Sequence, residues 1–159
     1  MKNVIILTSS ELRHTFFRKF IANSPKINVI NSICESEDGN LKSLILSENN
    51  NINRFNHLKL RDQIEKDFFK IYCTNIEDKS NPIFIKKGEV NSPNIIELIS
   101  NKSPDLIISY GCSIIKEDLI NKYPRRFINI HLGLSPYYRG SGTNFFPFVN
   151  NELQFVGAT

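Results

Sequence analysis

The opening segment of the chain constrains its fold most, because it has the pattern of a strand, a helix and a second strand. Residues 2–7 form a compact aliphatic run, which predicts a buried strand. Residues 11–22 predict an amphipathic helix capped by Ser9 or Ser10, with one apolar face made of Leu12, Phe16, Phe20 and Ile21. Residues 27–34 predict the second strand. This order starts a doubly wound α/β fold, a mostly parallel sheet with helices on both faces.

The same alternation continues along the chain. Residues 58–72 predict a long helix with one apolar face, made of Leu60, Ile64, Phe68 and Ile71. We expect its charged face to be solvated, and it is made of Arg61, Asp62, Glu65, Lys66 and Asp67. Further strands are predicted at 82–86, 105–110 and 126–130, and further helices at 92–100 and 114–121. The segment 35–55 is polar, and the stretch "SENNNINRFN" (47–56) is predicted to be the least structured.

Composition limits the class of protein. The 159 residues, 40% hydrophobic and 23% charged, fit a single globular domain over 1–159, since no repeat or linker divides them. The net charge of +4 suits an anionic substrate but is too weak and dispersed to argue for nucleic acid. Apolar runs are too short for a membrane span or a signal peptide, so we expect a cytoplasmic protein. The three cysteines match no metal motif or disulfide framework, so neither is expected.

The first turn between a strand and a helix argues against nucleotide-cofactor binding. It is Thr8-Ser9-Ser10, without the glycines of a dinucleotide site, and the chain has no phosphate-loop lysine motif. In an open α/β sheet the ligand lies beyond the carboxyl ends of the strands. The site is therefore expected at another strand end.

The most informative segment spans 128–152. Asn129 and His131 have the spacing that places two side chains on the same side of a strand end. In such a pair the imidazole can move a proton, and the amide NH₂ group can donate to an oxyanion. Taken alone, the pair also fits a histidine with a purely structural role at a strand end. The loop 135–142 that follows combines proline, two tyrosines, an arginine and two glycines. Such a loop can hold an anionic or hydroxyl-rich ligand near the pair.

These segments resemble the formyltransferases that use 10-formyltetrahydrofolate, whose acceptors include glycinamide ribonucleotide, methionyl-tRNA and amino sugar nucleotides. The resemblance rests on "DLIISYGCSII" (105–115), "NIHLGLSPYYRG" (129–140) and "VGAT" (156–159). It covers most of the chain after residue 83, with a consistent first strand–helix–strand unit. The tyrosine-bearing loop and the lack of glycines near Ser9 look more like the sugar-nucleotide branch than the purine enzyme.

The resemblance implies roles for individual residues. Asn129 would polarise the formyl carbonyl and stabilise the oxyanion, and His131 would manage protons during attack by the amine. The residues implied to contact the folate pterin are Ser109, Tyr110, Gly111, Cys112, Ile114 and Ile115. Those implied to shape the mouth toward the acceptor are Ser135, Pro136, Tyr137, Tyr138, Arg139 and Gly140. Arg139 would contact an acceptor phosphate, with a solvated arginine as the alternative. Tyr110 and Gly111 are expected to share one cleft with Asn129 and His131.

One family feature has no counterpart in this sequence. The family carries a catalytic Asp on a loop well after the His, and no Asp follows His131 before the last residue, Thr159. Asp105 and Asp118 are poor substitutes, since one opens a strand and the other lies on a helix surface. We therefore expect either a C-terminally truncated chain with little activity or a partner chain that supplies the missing element. The sheet edge that the missing strands would cover would favour aggregation or a homodimer.

Three functions follow from the resemblance. The first is transfer of a formyl group from 10-formyltetrahydrofolate to a small-molecule primary amine, that of an amino sugar nucleotide. The second is formylation of methionyl-tRNA, although the basic C-terminal domain expected for it is not in this sequence. The third is a non-catalytic module that binds folate. The sequence does not fix which amine is the acceptor.

Overall fold

A computed structural model of the chain describes residues 1–36, 52–140 and 143–159, and it contains a five-stranded parallel sheet. The strands run in the order β3-β2-β1-β4-β5. They are β1 (Lys2–Ser9), β2 (Ile27–Ser36), β3 (Pro82–Lys86), β4 (Leu106–Tyr110) and β5 (Phe127–Ile130). The helices are α1 (Leu12–Ala22), α2 (Ile52–Asn75), α3 (Pro93–Lys102), α4 (Glu117–Ile120) and α5 (Phe146–Val149), with short 3-10 turns at Glu89–Asn91 and Leu153–Phe155.

The central strands are buried on both faces, because alternate side chains enter two separate cores. Ile5 and Leu7 enter one core, where α3 and α4 contribute Ile96, Ile99 and Leu119. The neighbouring Val4 and Ile6 enter the other core, under Phe17 and Ile21 of α1. Helices therefore cover both faces of the sheet, which confirms the predicted doubly wound fold.

The start of α1 differs from the prediction. Ser9 is still part of β1, and Glu11 occupies the N-cap position without a side-chain hydrogen bond to the helix. The Glu11 carboxylate instead pairs with Arg13 and Arg61. The predicted cap by Ser9 or Ser10 is therefore wrong, because pairing with β2 extends the first strand through Ser9.

Helix α2 is turned the opposite way from the prediction. Its predicted apolar face is exposed, and Phe68 and Ile71 are each 74% accessible to solvent. Two of the charged residues predicted to be solvated instead meet α1, where Glu65 pairs with Arg13 and Arg61 pairs with Glu11, whereas Lys66 and Asp67 are exposed. The predicted orientation is therefore wrong.

Aromatic packing gives the physical reason for this orientation. Phe16 of α1 packs on Phe69 and Tyr72 of α2, with ring centroids 4.8 and 4.9 Å apart. These aromatic residues lie on the same helical face as Leu58, which is buried. The contact between the two helices therefore selects the aromatic and ion-paired face over the aliphatic one.

In two further segments the structure and the prediction cover different residues. The helix predicted at 114–121 is only the short α4, because residues 112–116 form an irregular loop. Most of the polar segment 35–55 lies outside the described residues, as do Ser141 and Gly142 of the predicted ligand loop. Among the described helices, none is long and apolar enough to span a membrane.

Candidate active site

Asn129 and His131 lie together at the carboxyl end of β5. Asn129 belongs to the strand and His131 follows directly after it. Both side chains line one open cavity, which they share with Ser135, Arg139 and Thr159. The alternating pleat of the strand places them on the same side. The structure thus brings the two candidate catalytic residues together with two residues of the predicted ligand loop.

The amide of Asn129 is oriented by the neighbouring strand. Ser109 Oγ donates to Asn129 Oδ1 at 2.9 Å, and Ser109 is 4% exposed at the end of β4. Because the amide oxygen is held toward Ser109, the amide NH₂ group points away from it, where it can donate to a ligand oxygen. Ser109 therefore lies behind Asn129 rather than in the cavity itself.

The ring of His131 has a defined tautomer. Nε2 lies 3.1 Å from the carbonyl oxygen of Gly140, and a carbonyl oxygen can only accept. Nε2 therefore carries the hydrogen in the neutral ring, and Nδ1 has the lone pair. Nδ1 is buried, and no described residue offers it a hydrogen bond. An imidazole can both accept and release a proton, which suits it to acid–base chemistry.

The backbone of His131 is fixed by the last residue of the chain. His131 N–H donates to the Thr159 carbonyl at 2.7 Å, and Thr159 N–H donates back to the His131 carbonyl at 2.9 Å. Gly133 and Leu134 continue this pairing to Gly157 and Phe155. The sequence did not predict Thr159 as a site residue, although the "VGAT" motif contains it.

The loop predicted to bind the acceptor divides into two parts. Ser135 and Arg139 line the cavity, whereas Tyr137 stacks on Phe155 at 4.2 Å between ring centroids. The Tyr138 hydroxyl donates to Glu152, and this bond, followed by desolvation, raises the pKa of the phenol. Pro136 and Gly140 are exposed. The two tyrosines therefore brace the loop against the C-terminal segment.

The loop predicted to bind folate lines a second cavity. Gly111 and Cys112 line a separate polar pocket with Ser9, Glu35 and Ser113. Gly111 is therefore placed beside Glu35 and Ser113, and the cleft that it is expected to share with Asn129 and His131 stays a prediction. Burial, followed by the Glu35 charge, raises the pKa of the Cys112 thiol to about 12.

Tyr110 and the two isoleucines of this loop also take different places. The Tyr110 ring packs edge-on against His14 and Phe17 of α1, and its expected place in a cleft with Asn129 and His131 stays a prediction. Ile115 packs against the core, whereas Ile114 is 88% exposed. Of the predicted apolar contacts, Ile114 is the one that the loop presents to solvent.

Sequence reasoning missed His14, which lies beneath the loop. His14 is buried on α1, and its Nε2 would lie 2.2 Å from a Cβ added to Gly111. Burial is the main cause that lowers its pKa from 6.5 to about 3, and the charges of Arg13 and Arg61 add to it. His14 is therefore neutral at physiological pH. A histidine on a helix with no nearby motif offered no sequence signal for this contact.

Glu35 is the second missed residue, at the carboxyl end of β2. It is 3% exposed, and its two carboxylate oxygens accept from the backbone N–H groups of Gly88 and Ser113. It opens the segment predicted to be polar, one residue after the predicted end of the second strand, which hid its burial. The described residues contain no group of three or more His, Cys, Asp or Glu side chains placed to bind a metal ion.

Comparison with known proteins gives the family. The model of the formyl transferase family matches residues 2–145. The methionyl-tRNA formyltransferase of Ruminiclostridium cellulolyticum is 33% identical over 70 residues, which cover 43% of this chain and 22% of that protein.

Solved structures agree with the fold. A phosphoribosylglycinamide formyltransferase from Anaplasma phagocytophilum superposes with a TM-score of 0.58 at 15% identity, over 94% of this chain and 58% of that one. A formyltetrahydrofolate deformylase from Pseudomonas syringae superposes with a TM-score of 0.52 at 13% identity, over 94% of this chain and 42% of that one. This chain therefore spans less than two thirds of each of these three relatives.

Proposed function

The chain belongs to the formyl transferase family, and we propose that it transfers a formyl group from 10-formyltetrahydrofolate to the primary amine of an amino sugar nucleotide. The observation that carries the proposal is the shared cavity of Asn129 and His131 at the end of β5. The proposal includes residues 1–159 as a single catalytic domain. The folate supplies the activated formyl group, and the chain supplies its orientation and the movement of protons.

Asn129 fits the role of oxyanion donor. When an amine adds to a formyl carbonyl, the carbonyl oxygen gains negative charge and needs a hydrogen-bond donor. The Asn129 NH₂ group is turned toward the cavity because Ser109 holds the amide oxygen. Such a donor, fixed before the substrate arrives, needs no reorganisation when the charge develops.

His131 fits the role of proton carrier. The attacking amine must lose a proton, and the leaving folate nitrogen must gain one. Nε2 of His131 carries the hydrogen that it donates to the Gly140 carbonyl, and the buried Nδ1 holds a lone pair that accepts no hydrogen bond from a described residue. In the proposed step the imidazole takes the proton that the amine loses and passes one to the leaving folate nitrogen, so the charge of the ring is the same before and after the transfer.

An amino sugar nucleotide is the proposed acceptor because the cavity offers groups for phosphate and hydroxyls. Arg139 is exposed at the cavity and can pair with a phosphate, while Ser135 and Thr159 offer hydroxyls. The tyrosine-bearing loop supports the same branch of the family. Methionyl-tRNA is the second candidate acceptor, favoured by the matched enzyme of Ruminiclostridium cellulolyticum.

A formyl-transfer assay on the full-length protein tests the proposal. It uses 10-formyltetrahydrofolate with either an amino sugar nucleotide or methionyl-tRNA. We expect turnover with the sugar nucleotide, and a loss in kcat of roughly 10²-fold or more in Asn129→Ala and in His131→Ala. His57→Ala, on the exposed side of α2, is the matched control and should keep full activity.

Other results of the formyl-transfer assay would contradict parts of the proposal. Turnover with methionyl-tRNA alone would favour the second acceptor. Folate binding without turnover on either acceptor would favour a non-catalytic folate-binding module. Full activity in both alanine variants would remove Asn129 and His131 from the mechanism.

The location and assembly of the protein belong to the same proposal. The three free thiols suit the reducing cytoplasm, where we place the protein. The homodimer expected from the sequence stays a prediction, which light scattering of the purified protein checks.

A further inference from the structure

Two side chains from outside the loop after β4 hold its backbone in place. Glu35, at the end of β2, accepts from Ser113 N–H at 2.7 Å. Asn91, at the end of the 3-10 turn Glu89–Asn91, donates to the Ile114 carbonyl at 2.9 Å and accepts from Lys116 N–H at 2.8 Å. Three backbone groups within four consecutive residues are thus held by fixed elements of the fold.

Glu35 is buried, and both of its carboxylate oxygens accept hydrogen bonds. Its second carboxylate oxygen accepts from Gly88 N–H at 2.8 Å, which ties the loop to the turn that carries Asn91. Glu35 is 3% exposed, so its charge depends on these two N–H donors in place of water. Replacing one oxygen with an amide NH₂ would set a donor against a buried N–H donor, which is unfavourable.

The loop held in this way presents apolar surface to solvent. Ile114 is 88% exposed although its own carbonyl is fixed by Asn91. Ordering a flexible loop on binding reduces affinity, and a loop that is already ordered avoids this loss. A rigid loop with an outward-facing isoleucine is suited to contact a planar, partly apolar ligand.

We propose that Glu35 and Asn91 are positioning residues, which hold the backbone of residues 111–116 in the conformation that binds the reduced folate. The proposal rests on the proposed function, since the folate is the ligand of that function. Neither residue needs to touch the ligand. Both act through the backbone bonds of Ser113, Ile114 and Lys116.

Calorimetric titration of the full-length protein with 5-formyltetrahydrofolate, a stable reduced folate, tests this proposal. We expect Glu35→Gln to raise Kd roughly 10-fold and Asn91→Ala to raise it several-fold, as expected for lost buried hydrogen bonds. Glu89→Gln is the matched control, because the Glu89 carboxylate also accepts a backbone N–H, from Lys86 at 2.8 Å, but does not bond the loop. Its Kd should match the wild type.

Two further readouts separate positioning from a general loss of structure. Amide hydrogen exchange at Ser113 should become faster in Glu35→Gln and stay slow in Glu89→Gln. In the formyl-transfer assay, KM for the folate should rise in Glu35→Gln and Asn91→Ala while kcat at saturating folate stays within about twofold of the wild type. Asn91 lies outside the buried core, so its variant decides the question if Glu35→Gln does not fold.

The outcomes distinguish this proposal from the proposed function. A wild-type protein that does not bind the folate overturns the proposed function, and this inference with it. A wild-type protein that binds while both variants keep its Kd and KM overturns the positioning role alone. A fall in kcat with unchanged KM would also contradict it, since the loop would then act on the chemical step.

Discussion

Ser109 and Asn129 face each other on the paired strands β4 and β5, and Ser109 Oγ donates to Asn129 Oδ1 at 2.9 Å. The bond fixes which end of the amide faces the cavity. It also links the two sequence motifs, since Ser109 belongs to "DLIISYGCSII" and Asn129 to "NIHLGLSPYYRG". A residue from one motif therefore orients the candidate oxyanion donor of the other.

Loss of this bond should reduce catalysis. Ser109→Ala is expected to lower kcat roughly 10-fold, less than Asn129→Ala, because the amide remains but can rotate. Steady-state formyl-transfer kinetics measure the effect. Ser100→Ala is the control, since the Ser100 hydroxyl bonds only the Ile96 carbonyl within α3. Equal kcat in Ser109→Ala and the wild type would show that the amide needs no such support.

Gly111 should tolerate no side chain. Its φ of +69° and the approach of His14 Nε2, 2.2 Å from an added Cβ, both oppose one. Gly111→Ala is expected to lower the free energy of unfolding by about 2–4 kcal/mol, from backbone strain together with overpacking. Urea unfolding followed by circular dichroism measures this loss.

Two comparisons separate strain from overpacking. Gly88→Ala has a similar φ of +87° but nothing within 4 Å of the added Cβ, so it should cost only about 1 kcal/mol. Gly111→Ala made in a His14→Ala background should also cost only about 1 kcal/mol, since the ring is gone. An equal loss in Gly88→Ala and Gly111→Ala would contradict the contact with His14.

His14 should make stability depend on pH. Burial is the main cause that lowers its pKa to about 3 from 6.5, the value expected in the unfolded chain. Between these values the unfolded chain binds a proton that the folded chain does not. The contribution of neutral His14 is therefore complete above pH 6.5 and is lost as the pH falls, by about 2 kcal/mol at pH 5.

Unfolding free energies measured between pH 7 and pH 4.5 test this dependence, roughly the window in which the unfolded histidine titrates. Other groups titrate as well, including Glu11, whose carboxylate lies 3.6 Å from His14 Nδ1, so the comparison is made between variants. His14→Asn should flatten the curve relative to the wild type. His57→Asn, at an exposed position, should follow the wild type. Parallel curves for His14→Asn and the wild type would contradict the prediction.

Two adjacent phenylalanines should report the orientation of α2. Phe69 packs on Phe16, so Phe69→Ala is expected to cost about 2–3 kcal/mol of unfolding free energy. Phe68 is 74% exposed, so Phe68→Ala should stay within about 0.5 kcal/mol of the wild type. Thermal and urea unfolding of the two variants give the comparison. The reverse order of effects would restore the orientation predicted from the sequence.

The sequence of α2 did not decide which of its faces packs on the rest of the protein. The aliphatic row at 60, 64, 68 and 71 has helical spacing, and so does the row at 58, 61, 65, 69 and 72. Aliphatic content favoured the first row. The second row faces α1, because Phe16, Glu11 and Arg13 of α1 match its aromatic and charged groups. The spacing of residues along α2 carries no information about the surface of α1 on which the helix packs.

The sequence by itself determined the order of strands and helices along the chain and the parallel doubly wound class, because these follow from local periodicity. It also predicted the pair Asn129–His131, through its spacing and the family resemblance of its motif. Only the tertiary structure decided that Ser109 orients Asn129, that His14 lies beneath Gly111 and that Glu35 holds Ser113. Those three contacts join residues from different elements, far apart along the chain. Their partners are set by how strands and helices pack, which a pattern within one segment does not record.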